Sequence, residues 1–354
     1  MGLALAIAAR QRGLTVVVAD ALQPAIDKAC GEGLLPDAVE ALRILGVSLE
    51  SDEARPFRGI RFVCGDNSTA ADFPGGHFGL GVRRTILHRA LARRCEDLDI
   101  ECLWGQPVLG VCGNEVSLKD GKFRAQWIVG ADGAHSRMRQ WAGLDNPRAR
   151  GGRYAFRQHY EIAPWTDYVE VYWSSTGQVY LTPVGDNEVG VVLISRNQQF
   201  RVQDALRWFP QLAARLGSAR VISRERGATT GMRRLRHLSS GHIALVGDAS
   251  GSVDAITGEG LGLGFRQATL LADCLVRNDM ASYQINHERL SRRPRFMSRM
   301  LLMLDGRPSL QRRTLLAFQR RPQVFERMLA LHVGATVASF ARDTLAIGWS
   351  LLAT

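Results

Sequence analysis

No CxxC pair, no Cys/His ligand cluster and no apolar run of bilayer-spanning length occurs in this 354-residue chain. Its six cysteines stand alone at positions 30, 64, 95, 102, 112 and 274. That spacing argues against a structural zinc site and, in a chain long enough to bury its own core, against a disulfide framework. A reducing cytoplasm fits such usage. The longest low-charge stretch, Met328–Ala341, falls short of the roughly 20 residues that a membrane-spanning helix takes. Met1–Arg10 is apolar but has no basic n-region and soon turns polar, so it does not read as a signal peptide. There is no GxSxG elbow and no His/Asp pairing that would point to a hydrolase. Internal repeats and low-complexity segments are absent too.

What is present describes a globular protein. Hydrophobic residues make up 46% and charged residues 22% of the chain, and 36 glycines gather in turns beside apolar runs. The net charge of +11 is uneven. Between Arg289 and Arg327 eleven arginines face only Asp305 and Glu326, which gives +9 from one segment. The residues between them are Leu, Met and Phe rather than loop aromatics that could stack on bases, so a nucleic-acid surface is not expected. Basic amphipathic helices lying on the protein or on an anionic membrane fit the pattern, as does an ordinary solvated helix face.

Along the chain, residues 3–12 read as a helix closed by Gly13, and Leu14–Asp20 as a β-branched strand of the kind buried in parallel sheets. A Gly-rich loop from Pro24 to Pro36 precedes a helix over 36–45. Strands and turns are expected over 57–81, a helix over 84–94 and a strand near 98–103. A hairpin reaching about 126 comes next, then a buried strand at Gln126–Gly133. From about 151 to 230 apolar and polar residues alternate, which predicts an antiparallel sheet solvated on one face and interrupted by a helix at 202–216. The parallel pattern returns at His242–Asp248, a helix covers 261–276, and residues 282–354 read as helical.

Three constellations carry chemistry. A dinucleotide-binding unit runs strand, G-x-G-x-x-G, helix, strand, then an acid that bonds ribose hydroxyls. Gly2 fits the third glycine and Asp20 the acid, which places the first strand and the first two glycines before Met1. After the second buried strand come Asp132-Gly133, then Ser136, Arg137 and Arg139 at a helix start, an arrangement suited to anionic groups. The third is Gly247-Asp248 at a strand end, followed by Thr257-Gly258-Glu259-Gly260-Leu261-Gly262 opening a long helix. Its free N–H groups and positive dipole end can stabilise negative charge.

Together these residues resemble the FAD-binding oxidoreductases of the p-hydroxybenzoate hydroxylase fold, a group that includes aromatic-ring hydroxylases, flavin halogenases and geranylgeranyl reductases. The resemblance covers roughly residues 2–300. It implies that Asp248 bonds the FAD ribityl chain and that Asp132 lies near the pyrophosphate and the reductant path. It also implies that Arg84, opening an R-x-x-L helix, lies near the phosphates. Cys30 in Lys28-Ala29-Cys30-Gly31-Glu32-Gly33 resembles the Cys-Gly-Gly loop of geranylgeranyl reductases, and Thr257–Gly260 resembles their T-G-E-G turn. Of the aromatic positions before Pro183 only Tyr180 is present. No Trp-x-Trp occurs, so halogenation is not expected.

The expected fold is therefore α/β: a discontinuous Rossmann-like FAD-binding domain missing its first strand (1–50, 82–150 and 235–285), an antiparallel substrate sheet (51–81 and 151–234) and C-terminal helices (286–354). The cofactor-contacting set is Gly2, Asp20, Arg84, Asp132, Gly133, Gly247, Asp248, Gly258, Gly260, Leu261 and Gly262. Cys30 is the one candidate for direct chemistry, and no metal is expected. The resemblance implies FAD as cofactor, NAD(P)H as reductant and a hydrophobic isoprenoid, polyketide or aromatic substrate that is reduced or mono-oxygenated. Tyr172, Trp173 and Tyr180 could line its pocket. The alternative is a truncated, non-catalytic remnant that holds FAD weakly or not at all. Peripheral membrane contact through the basic helices completes the expectations.

Overall fold

The computed structural model describes residues 1–145 and 152–335. Helix α1 (Gly2–Arg10) is buried from Leu3 through Ala9, as an all-apolar helix must be. The chain leaves it through Gly13, whose φ of 84° suits a residue without Cβ. β1 (Val17–Asp20) then runs parallel to β7 (Glu101–Trp104), Val17 opposite Glu101 and Asp20 opposite Trp104. A second parallel pair joins β11 (Ile128–Gly130) to β20 (Ile243–Leu245), with β19 (Ser239–Ser240) antiparallel beside it. Helices α2 (Pro36–Ile44), α3 (Arg84–Asp97) and α7 (Gly260–Arg277) complete this half. Ile7, Leu42, Leu91, Leu245, Phe265 and Leu271 lie in its core. An antiparallel meander, β8 (Val108–Cys112), β9 (Glu115–Leu118) and β10 (Gly121–Arg124), comes before β11, and the short α4 (Arg137–Trp141) after it.

The second half is built on an eight-stranded sheet. Its order is β16 (Arg220–Val221), β12 (Arg153–Glu161), β15 (Glu188–Ser195), β14 (Gly177–Gly185), β13 (Tyr168–Trp173), β4 (Gly59–Cys64) and β5 (Asn67–Asp72), with β17 (Arg226–Thr230) also pairing with β12. The pairings are antiparallel except β4 with β13, which run parallel. A small sheet of β2 (Gly33–Leu34), β6 (Gly79–Gly81) and β3 (Arg55–Phe57) abuts it. At that junction only glycine fits position 81, since a Cβ there would come within 1.7 Å of the Pro183 carbonyl oxygen. The two-residue strands β18 (Arg233–Arg234) and β21 (Gly251–Ser252) pair beside it in the chain's return.

Two expectations need correction. The large sheet has no solvated face along its centre: all six residues of β13 are buried. Tyr172, Leu181 and Leu193 pack on one side against α5 (Val202–Leu206) and α6 (Pro210–Leu216). Val169, Val171 and Trp173 face the other way, toward the C-terminal helices. The polar position that looked solvated, Glu170, is buried and satisfied internally by Arg61 (3.0 Å), Trp165 Nε1 (3.0 Å) and the Tyr172 hydroxyl (2.6 Å). The helix expected over 202–216 divides at Phe209-Pro210, because proline lacks the N–H that a continuous helix needs.

Three further helices, α8 (Met280–Leu304), α9 (Pro308–Arg320) and α10 (Pro322–His332), lie over β4, β5 and β13, with Met297, Leu301, Phe318, Phe325 and Met328 inward. Residues 336–354 of the expected helical C-terminus fall outside the described residues. Among the described residues no helix is long and apolar enough to cross a membrane.

Candidate functional site

A cavity of about 1060 Å³ runs between the two halves. Its polar end is built from chain segments that arrive at the carboxyl ends of the parallel strands, where open α/β sheets bind ligands. The loop Asp27–Gly33 forms one wall. Asp132 and Gly133 follow β11, Gly247 and Asp248 follow β20, and Thr257–Leu261 lead into α7. The apolar end is Trp173, Tyr180 and Val171 of the sheet with Met297, Leu301, Phe325 and Met328 of α8 and α10.

Of the residues singled out in the sequence, Cys30, Arg84, Asp132, Gly133, Gly247, Asp248, Gly258, Gly260 and Leu261 border this one cavity. Gly2, Asp20 and Gly262 do not. A Cβ on Gly2 would stand 3.5 Å from Ala131, an ordinary contact, one on Gly262 would stand 3.0 Å from Ala38 of α2, and Asp20 accepts the Leu22 N–H at 2.9 Å. Asp132 has a structural task as well: its Oδ2 accepts the N–H groups of Arg137 (2.7 Å) and Met138 (3.1 Å) at the start of α4. Trp173 and Tyr180 face the cavity, while Tyr172 points to the opposite side, against Phe209. His135 stands at the rim, 3.0 Å from Thr229 Oγ1.

The polar end has a defined electrostatic character. Among the described residues Arg84 Nη1 is buried without a hydrogen-bond partner and the α7 N-terminus has no side-chain cap. A Cβ placed on Gly31, Gly133, Gly258 or Gly260 would meet none of the described residues within 4 Å, so these glycines border open space among them. Asp248 is exposed to the cavity yet enclosed by protein, and this burial pushes its carboxyl above the usual range, opposed by Lys28. Burial, and then the negative charge of Glu32, push the Cys30 thiol up, which disfavours the thiolate.

Sequence reasoning missed the groups behind this loop. Glu32, Arg157 and His159 are all buried and mutually in contact. The only local signal was an acid between two glycines.

The sequence pattern of the FAD binding domain family matches residues 1–278. The chain belongs to this family. A menaquinone reductase from Mycobacterium tuberculosis is 28% identical over 313 residues, covering 79% of this chain and 75% of that protein. The 3-demethoxyubiquinol 3-hydroxylase of Escherichia coli is 25% identical over 312 residues, 78% of this chain and 77% of that one. Among solved structures, a geranylgeranyl bacteriochlorophyll reductase-like protein from Thermoplasma acidophilum superimposes with a TM-score of 0.74 at 17% identity, over 98% of this chain and 92% of that chain. The fold is thus that of FAD-binding flavoproteins, and reductases and hydroxylases both occur among its relatives.

Proposed function

We propose that this flavoprotein takes electrons from NAD(P)H and reduces a hydrophobic, conjugated substrate of isoprenoid or aromatic type. The observation that carries the reading is the continuity of one cavity from an uncapped helix N-terminus and an enclosed carboxylate to a floor of Trp, Met, Leu and Phe. The names of the menaquinone reductase and the demethoxyubiquinol hydroxylase point to the same class of apolar, conjugated molecule. The hydroxylase supports a second outcome, mono-oxygenation at the same site.

The residues present fit FAD. Arg84 would meet phosphate charge with its unpartnered Nη1, and Asp248 would accept from ribityl hydroxyls. The N–H groups at Gly260 and Leu261, with the α7 dipole, would face the electron-rich end of the ring. When bound, the flavin supplies the electron-transfer chemistry, and the protein supplies position and electrostatics. The apolar floor excludes water and orients the substrate's hydrocarbon body, and Tyr180 is held rigid by donating to the Ile256 carbonyl at 2.8 Å.

The test is titration of the purified chain with FAD, followed by flavin fluorescence, then anaerobic addition of NADH or NADPH. Saturable quenching and flavin bleaching are expected, with R84A weakening FAD at least tenfold, about 1.4 kcal/mol. No saturable binding would sink the reading. Oxygen added to the reduced protein then distinguishes oxygenation, in which a transient absorbance precedes reoxidation, from reduction, in which reoxidation is direct.

A further inference from the structure

Glu32 breaks the local rule of its loop. It stands between Gly31 and Gly33 with φ of 61°, a left-handed conformation better suited to glycine, and its carboxylate is buried. Both oxygens are occupied. Oε1 accepts the Arg84 backbone N–H at 2.8 Å, and Oε2 lies 2.6 Å from His159 Nε2.

The state of that histidine follows from its other side. His159 Nδ1 is 2.8 Å from Ser223 Oγ, 3.0 Å from Arg157 Nη1 and 3.3 Å from Arg83 Nη2. The guanidiniums only donate, and the Ser223 hydroxyl, whose oxygen already accepts the His159 backbone N–H at 3.0 Å, can donate as well, so Nδ1 is the acceptor. The imidazole therefore carries its proton on Nε2 and donates it to Glu32 Oε2, while Arg157 Nε lies 3.8 Å from Oε1. The rest of the loop is tied into the same group. Thr182 donates to the Gly31 carbonyl at 2.8 Å, and Arg157 donates to the Lys28 carbonyl at 3.3 Å and pairs with Asp27. Cys30 Sγ accepts the Glu32 N–H at 3.3 Å.

We propose that Glu32 is the positioning residue of the cavity loop: tied to His159 and to the Arg84 N–H, it fixes where Cys30 and Gly31 meet the ligand. Its charge has a second effect. The groups facing Cys30 are Glu32, Arg84 and Arg157, and Glu32 opposes ionisation of the thiol while the two arginines favour it. A thiolate adds to conjugated electrophiles and a thiol does so far less, so Glu32 keeps the wall beside the substrate inert. This second effect rests on the oxidoreductase reading above, whereas the positioning does not.

The experiment uses the full chain without FAD and measures iodoacetamide alkylation of Cys30 against pH by peptide mass spectrometry. In E32Q the amide oxygen still accepts from Arg84, but the amide N–H groups oppose the His159 Nε2–H and the charge is gone. The profile is expected to move to lower pH, with alkylation at least tenfold faster near pH 8, below the ordinary thiol value of about 8.5. H159Q retains a donor toward Glu32 and an acceptor toward Arg157, and should match the wild type. If E32Q does not fold, E32G, which suits the left-handed φ, takes its place with the same expected shift. Identical profiles for the wild type and the Glu32 variant would overturn the proposal, as would an equal shift in H159Q. In a fluorescence titration with FAD, the Glu32 variant should raise Kd about tenfold, a loss of about 1.4 kcal/mol of binding. An unchanged Kd removes the positioning role. Absence of turnover in the wild type itself defeats only the oxidoreductase reading and leaves the alkylation result standing.

Discussion

The Asp248 carboxyl faces the cavity from the turn after β20, and burial holds it above the ordinary carboxylate range. A folded value raised above the unfolded one means that the folded state binds more protons, so stability falls as pH rises through that window. D248N removes the enclosed charge. It is expected to melt higher than the wild type at pH 7, with the gap narrowing toward pH 4, near the unperturbed carboxylate value of about 3.9. The same variant should bind FAD more weakly. Scanning fluorimetry without cofactor reads the first effect and a fluorescence titration the second; a variant no more stable at pH 7 would remove the argument. Asp248 was legible in the sequence because it ends the apolar run Ile243–Gly247 just before a Gly-rich turn that opens a long helix. Glu32 was not. Its partners His159 and Arg157 lie far along the chain, and nothing in a linear reading shows that a loop acid is buried against them.

Helices and strands were legible to the extent that one element decided its own environment. α1 and α2 run up to Gly13 and Gly46, α3 has apolar residues at helical spacing, α7 opens at a Gly-rich turn, and β11 and β20 are apolar runs, so both types could be read locally. Burial of both faces of the large sheet depended on α5, α6 and the C-terminal helices, which the alternation of β13 cannot report. Helix α8 carries a consequence of such burial. His287 Nε2 donates to Ser250 Oγ at 2.9 Å, and that hydroxyl in turn donates to the Gly247 carbonyl at 2.7 Å. This ties α8 to the turn that holds Asp248. Burial, aided by Arg295, lowers His287 to about 4. With its folded value depressed, the neutral form's contribution is present above the ordinary histidine value of about 6.5 and is lost as pH falls toward 4, a change of about 3 kcal/mol. H287Q keeps a donor for Ser250 but cannot titrate. Its urea midpoint should fall less steeply than the wild type's between those pH values, and parallel slopes would contradict this account.

At the scale of the whole molecule, positive charge is concentrated on one group of helices. Nine arginines from Arg289 to Arg327 are exposed on or beside α8, α9 and α10, together with Met303 and Ile285. Co-sedimentation with vesicles of anionic lipid is expected at low salt. It should be lost near 1 M salt, where the screening length is about 3 Å, and should not occur with neutral vesicles. Failure to bind anionic vesicles at low salt would show these helices to be merely solvated. The apolar floor of the cavity has a different consequence, one of timing. Met297, Leu301, Phe325 and Met328 come from the last quarter of the sequence, whereas the sheet face they cover is complete once β15 has formed. On a translating ribosome, Val169, Val171 and Trp173 would stand uncovered for on the order of ten seconds before α10 emerges. For that interval the nascent chain presents a sticky strand surface, a natural client for a holding chaperone.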